Sequence, residues 1–354
     1  MWAVAYRDGH FSKEAVLKAM LVTTLAALFA AAGAALWFAR AGTCQLEQLA
    51  RVLASRPGVA DSLGRAGLGL WLAGMLAMVA AIPLHMWWVD AFDAFAPHAL
   101  MPFAAVVPIA GLAVMSRALL GAFGTLAGPA GTGSAGWADV VLAVGLAGML
   151  IAAAAALGQQ RLRRLAGLVL VGQSGFLIVA VSVAGQLAGK AEQVPASAAL
   201  VYALVVHGLS AVTLAAAVAA LEFSSSAGVN MEDLHGLAAT HPLLALSIGI
   251  GMLSCAGMPP TGGFLARWLV LEGMVGAGWI GSAVIAALSV GLQLVLVLAV
   301  VVAMFRREPT TIEGSDVSGT LRLLSAVGVL ALVAAGVVPG TLLEWCRQAA
   351  AMLW

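Results

Sequence analysis

Few side chains in this sequence can carry charge or a proton, and most of those that can stand at the edges of long apolar stretches. Four do not. Lys18 opens an apolar run, His207 sits mid-run in Val-Val-His-Gly-Leu, Arg267 follows Gly257-Met258-Pro259-Pro260-Thr261-Gly262-Gly263, and Glu272 lies five residues beyond it. In a bilayer each charge costs roughly 2.5–3.5 kcal/mol or more at the centre, so each needs a reason. Lys18 reads either as a lysine snorkelling to the interface or as part of an ion path. Arg267 reads as paired or functional, with Glu272 as a partner or as a residue reaching the interface. His207 reads as a packed, hydrogen-bonded ring or as a proton relay. His85, Asp90, Asp93 and His98 read as a wet turn or as a polar site, and Gln173 as a helix–helix hydrogen bond. No nucleophile–base pair, phosphate-binding glycine loop or metal spacing is present, and Cys44, Cys255 and Cys346 are too far apart to form a cluster motif.

The elements that hold these groups follow from composition. Of 354 residues 62% are hydrophobic and 9% charged, and mean hydropathy is +1.04. Water-soluble and disordered chains are excluded by those values, and a net charge of +1 excludes a basic field for nucleic acid. The expected fold class is all-α, a polytopic transmembrane bundle forming a single membrane domain over 1–354, with no soluble domain. A crossing takes about 20 apolar residues. Nine stretches qualify, near 18–39, 66–87, 98–123, 137–158, 165–185, 197–221, 242–276, 279–305 and 319–341. The seventh is too long for one straight helix. Gly257, Pro259, Pro260 and Gly262 interrupt it, which predicts two half-helices around a break from Met258 to Thr261. Pro83, Pro97 and Pro108 predict kinks in the second and third stretches, and residues 40–65 read as a loop. The polar lead with Arg7, Asp8, Lys13 and Glu14 is not that of a signal peptide. Basic residues favour a cytoplasmic N-terminus, with Arg161, Arg163, Arg164, Arg306, Arg307 and Arg322 on the same side and the C-terminus outside. Trp37, Trp87, Trp88, Trp137, Trp279 and Trp345 fall near span ends, as an interfacial belt would.

Five ordered stretches resemble the antiporter-like proton-translocating subunits of respiratory complex I, most closely the subunit N (mitochondrial subunit 2) type. Glu14-Ala-Val-Leu-Lys18 is similar to that family's EAxLKY opening. Ile82-Pro83-Leu84-His85-Met86-Trp87 with Asp90 resembles its PFHxWxPD segment. Arg161 to Ala166, running on to Gln173-Ser174-Gly175-Phe176, resembles KRLLAYSSIxHxGY. Glu232 to Leu237 with His241-Pro242-Leu243 resembles its DLxGLxxxxP linker, and Leu253 to Phe264 resembles LSLAGIPPTAGF, the most specific of the five.

The resemblance implies helices six to fourteen of a fourteen-helix fold. The family's fifth-helix glutamate then has no counterpart, and its place would be covered by a separate chain, lipid or a neighbouring subunit. It also implies a non-redox membrane-arm subunit of an NADH:quinone oxidoreductase in the bacterial inner membrane. The chain itself would hold no cofactor, and NADH, FMN, iron–sulfur clusters and quinone would belong to partner subunits. A related ion-translocating assembly, either a membrane hydrogenase or a multi-subunit cation/proton antiporter, is the alternative, and a stand-alone transporter ranks last. Only Lys18 matches a family lysine unchanged. Met78 and Pro108 stand where the family carries lysines, Arg267 replaces the lysine after the broken-helix motif, and Gln173 replaces a histidine. A buried lysine can release a proton, arginine keeps its own, and methionine and proline have none to give. The resemblance therefore implies a preserved scaffold with a dismantled conduction path, a spacer between pump subunits.

Overall fold

The computed structural model describes residues 10–128, 136–222, 228–306 and 319–353. Arg7, Asp8 and Arg307 lie outside the described residues, as does the side chain of His98. Among the described residues the chain is helical, without a strand, in the order α1 (His10–Ala41), α2 (Leu46–Ser55), α3 (Ser62–Met78), α4 (Met86–Ala94), α5 (Pro97–Gly121), α6 (Trp137–Ala156), α7 (Leu162–Gln186), α8 (Gln193–Glu222), α9 (Leu237–Thr240), α10 (Pro242–Ala256), α11 (Gly262–Gly276), α12 (Ile280–Met304), α13 (Gly319–Val337) and α14 (Gly340–Leu353).

Seven of these, α1, α5, α6, α7, α8, α12 and α13, are long and apolar enough to cross a bilayer alone. The other two expected spans are each built from two shorter helices. One is the predicted pair α10 and α11. The other is α3 and α4, where only a kink was expected. There the chain leaves helix after Met78, and Ala80 takes a left-handed conformation at φ 56°, a strained choice for a residue with a Cβ. Helix resumes only at Met86, past Pro83. The Trp87 indole donates to the Ala77 carbonyl at 3.1 Å, beside the Ala80 N–H at 3.2 Å, so both hold the end of α3.

The centre of the bundle is α7, buried along its whole length, with α8 beside it. A helix that is apolar all round belongs in such a place. Close approach of α6 and α7 depends on small residues: a Cβ on Gly175 would stand 2.8 Å from the Met149 nitrogen. The helices α1, α12 and α13 are peripheral and turn apolar side chains outward, among them Leu21, Leu288 and Leu330.

Two further expectations are corrected. Residues 40–65 are not simply a loop, because Leu46, Leu49 and Leu53 recur at helical spacing and α2 forms with Leu49 and Leu53 buried. Nor do the tryptophans form one belt. Of the six, Trp37, Trp87, Trp88 and Trp137 are packed inside and Trp345 alone is broadly exposed. The Trp137 indole donates to the Phe123 carbonyl at 2.7 Å, a use of its polar edge that the interface does not supply.

Candidate functional site

The second break is built from backbone upward. Gly257, at φ 77°, ends α10, and Met258 N–H bonds the Leu253 carbonyl at 3.0 Å. Gly263 lacks the Cβ that would lie 1.8 Å from the Ser254 carbonyl, so the first turn of α11 can rest on the last turn of α10. Arg267, early in α11, then folds back over the break. It is 2% exposed. Its guanidinium donates to the Cys255 carbonyl, to Gln173 Oε1 on α7 at 2.9 Å and to Gln293 Oε1 on α12 at 2.9 Å. It also stands 4.9 Å from the centre of the Phe176 ring. Gln293 is oriented in turn by donating to the Val169 carbonyl at 3.2 Å. A Cβ on residue 257 would be 2.1 Å from Arg267 Cδ, so glycine is required there for space as well as for conformation.

Among the described residues Arg267 has no carboxylate partner. Its charge is met by the negative end of α10, where carbonyls have no intrahelical donors, and by two neutral amides. This arrangement holds a permanent positive charge at mid-bundle. A guanidinium so held accepts no proton and surrenders none.

The remaining sequence candidates fall in different places. Gln173 joins Arg267 directly. Glu272 does not, because five residues turn an α-helix by roughly 140° from the starting face, and it lies on the exposed side of α11. His207, midway along α8, is fully buried, and neither ring nitrogen bonds a protein group among the described residues. One turn on, the hydroxyls of Ser210 and Ser254 are 2.8 Å apart and tie α8 to α10. Met78, partly buried, packs against the apolar core at the end of α3, and Pro108 is buried within α5.

Lys18 belongs to a second polar group, at the end of the bundle where α1 begins. It is half-exposed and pairs with Glu14 at 2.7 Å and Asp90 at 3.1 Å. Asp90 also pairs with Arg164 at 3.1 Å, and Asp93 with Arg161 at 2.8 Å. His85 is buried in the first break and is not part of these pairs. Arg163 departs from the topology-signal reading of its run. It is buried, ion-paired with buried Glu222, and donates to the carbonyls of Asp93 and Phe95. Sequence reasoning passed over both Glu222 and Gln293. Gln293 had a signal, a lone amide in the apolar run Leu292-Gln293-Leu294 like that of Gln173.

A helical bundle with two interrupted spans and a charged side chain folded over one of them defines the antiporter-like class of integral membrane proteins. The chain belongs to the NADH:quinone oxidoreductase/Mrp antiporter transmembrane family, whose model matches residues 3–293. It is similar to NADH-quinone oxidoreductase subunit N of Rhodospirillum rubrum, with 30% identity over 94% of this chain and 65% of that protein. It is also similar to subunit N 2 of Syntrophobacter fumaroxidans, with 30% identity over 98% of this chain and 70% of the relative. The chain thus spans about two thirds of the length of these relatives. Its fold matches a chain of the Mrp complex from Dietzia at a TM-score of 0.84 and 22% identity, covering 99% of this chain and 70% of the other. It also matches a chain of respiratory complex I from Thermus thermophilus at a TM-score of 0.72 and 24% identity, covering 97% and 71%.

Proposed function

We propose that this chain is a subunit N-type membrane-arm component of a proton-translocating NADH:quinone oxidoreductase, acting as a spacer whose own proton path is interrupted. The observation that carries the reading is the seat of Arg267. This buried charge is clamped by a carbonyl and two amides, with no carboxylate among the described residues to exchange a proton with. Met78 and Pro108 add two positions without a transferable proton, at the end of α3 and in the middle of α5. The identity to proteins named as subunit N favours this assignment over other ion-translocating assemblies.

On this reading residues 1–354 correspond to helices six to fourteen of the antiporter-like fold. The partners are other membrane-arm subunits in a bacterial inner membrane, and the N-terminus is cytoplasmic. Quinone, NADH, FMN and iron–sulfur clusters belong to partner chains. Of the path candidates Lys18, His207, Arg267 and Glu272, only His207 is both mid-span and built to accept and donate a proton through its two ring nitrogens. Lys18 anchors the charged end of the bundle, and Arg267 sets a fixed field.

The test is proton pumping by the natively co-purified complex in vesicles, with Lys18→Ala and His207→Ala combined. Electron transfer and pumping are expected to persist together. Pumping that collapses while turnover continues would show that this subunit conducts. Purification without any redox-complex subunit would remove the assignment itself.

A further inference from the structure

The linker motif around His241 has no role in the reading above, and the structure gives it one. A groove of about 250 Å³ opens where α9 runs into α10, lined by Thr240, His241, Pro242, Leu243, Leu244 and Arg322. Among the described residues that line it, the polar side chains are a guanidinium, an imidazole and a hydroxyl, without a carboxylate. Arg322, the fourth residue of α13, is exposed and makes no ion pair or hydrogen bond among the described residues. The start of α10 faces the same groove with no side chain capping it, which adds backbone donors to the guanidinium.

The surroundings narrow the ligand. Both α10 and α13 begin at this end of the bundle and run inward, so the groove lies at the membrane boundary. Directly along those helices Leu246, Leu323, Val327 and Leu330 are exposed at 50%, 64%, 54% and 70%. A groove at the boundary that presents a free guanidinium, with an apolar lane leading into the bilayer, suits an anionic head joined to a hydrocarbon tail. Arginine is well matched to the oxygens of such a head.

We propose that the groove between α9, α10 and Arg322 binds a phosphate group, that of a membrane phospholipid. The phosphodiester accepts from Arg322 and His241, and an acyl chain lies along Leu323 and Val327. The site is independent of whether the subunit conducts protons, since it shares no residue with the Arg267 cluster.

The experiment uses the full chain with its co-purifying partners in mild detergent. Native mass spectrometry follows retained phosphatidylglycerol, and a separate arm measures thermal stabilisation by inorganic phosphate. Wild type is expected to retain the lipid. Arg322→Ala should weaken retention about tenfold, the size of one lost charge-assisted contact, and Arg322→Lys should recover part of it. Arg347→Ala, at the opposite end of the bundle, should retain it fully. Arg322 is exposed, so its loss leaves the fold intact. Stabilisation by inorganic phosphate that depends on Arg322, without lipid retention, would uphold the phosphate site and reassign its source to the free ion. Equal lipid retention by wild type and Arg322→Ala, or equal loss in Arg347→Ala, would overturn the proposal.

Discussion

The two interrupted spans meet one backbone problem with different chemistry. Each break takes carbonyls at the end of its first half-helix away from their regular helical donors, in a region where water is scarce. In each, a side chain from the second half folds back to supply a donor. At the first break the donor is neutral, the Trp87 indole on Ala77, ten residues away. At the second it is charged, the Arg267 guanidinium on Cys255, twelve residues away. The difference lies in what surrounds the donor. Trp87 sits among Trp88 and Phe103, an aromatic packing that needs only one polar edge satisfied. Arg267 has drawn amides from α7 and α12 as well, so the second break fastens four helices where the first fastens two. Neither donor gives up a proton, which makes both breaks structural joints on this reading.

The strongest test of that contrast is Arg267→Ala. It leaves the Cys255 carbonyl, Gln173 and Gln293 each short of a donor inside the bundle. At roughly 1–3 kcal/mol for a buried group left unsatisfied, the expected loss is about 3–5 kcal/mol, read as a fall in folded yield and thermal stability in detergent. Arg267→Lys keeps the charge and should retain most of the stability. It also restores a releasable proton at this break, yet with Met78 and Pro108 unchanged the protons pumped per electron pair should stay the same. An increase would mean that Arg267 alone blocks the path.

Gly257→Ala probes the same joint through the backbone. The residue sits at φ 77° and its new Cβ would run into Arg267. Left-handed strain of roughly 1–2 kcal/mol and a displaced guanidinium together give an expected destabilisation of about 2–4 kcal/mol. It should be less than additive with Arg267→Ala, because the overlap disappears with the arginine. Full additivity in a double-mutant cycle would mean that the glycine serves conformation alone.

These two breaks also show what the sequence made legible. Met258-Pro259-Pro260-Thr261-Gly262-Gly263 announces the second, because proline and glycine act through local rules. The first hides in Leu76-Ala77-Met78-Val79-Ala80-Ala81, apolar and locally helical, with its proline arriving only after the helix has already ended. Arg267 and Gln173 were separately readable as misplaced polar residues. Their meeting with Gln293 was not, since it depends on how α7, α11 and α12 pack. Arg163 looked like its two exposed neighbours because its partner Glu222 lies at the far end of the next helix. Local chemistry is written locally, and the pairings that neutralise buried charge are long-range.

A smaller effect is expected at the first joint. Trp87→Phe keeps the aromatic packing and removes only the donor to Ala77. The Ala77 carbonyl keeps the Ala80 N–H at 3.2 Å, so the expected cost is that of one lost hydrogen bond, about 0.5–1.5 kcal/mol, measured as a shift in thermal unfolding. Electron transfer and pumping should be unchanged. A loss as large as that of Arg267→Ala would erase the distinction between a neutral and a charged joint.

The smallest effect separates both breaks from the charged end of the bundle. The resemblance implies that Lys18 is the one lysine kept at a family position, so a conducting subunit would feel its removal keenly. The structure puts it half in solvent between Glu14 and Asp90, where screening and side-chain freedom leave an ion pair worth about 0.5 kcal/mol or less. Asp90 keeps Arg164 as a second partner at 3.1 Å, so no buried charge is stranded when Lys18 goes. Lys18→Ala should therefore alter stability barely at all, and this small change should vanish in high salt as surface pairs are screened. Pumping stoichiometry should be that of the wild type. Intact stability with a lower number of protons per electron pair would be the result hardest to reconcile with two structural joints, since it would place a working relay at a charged residue that neither joint uses.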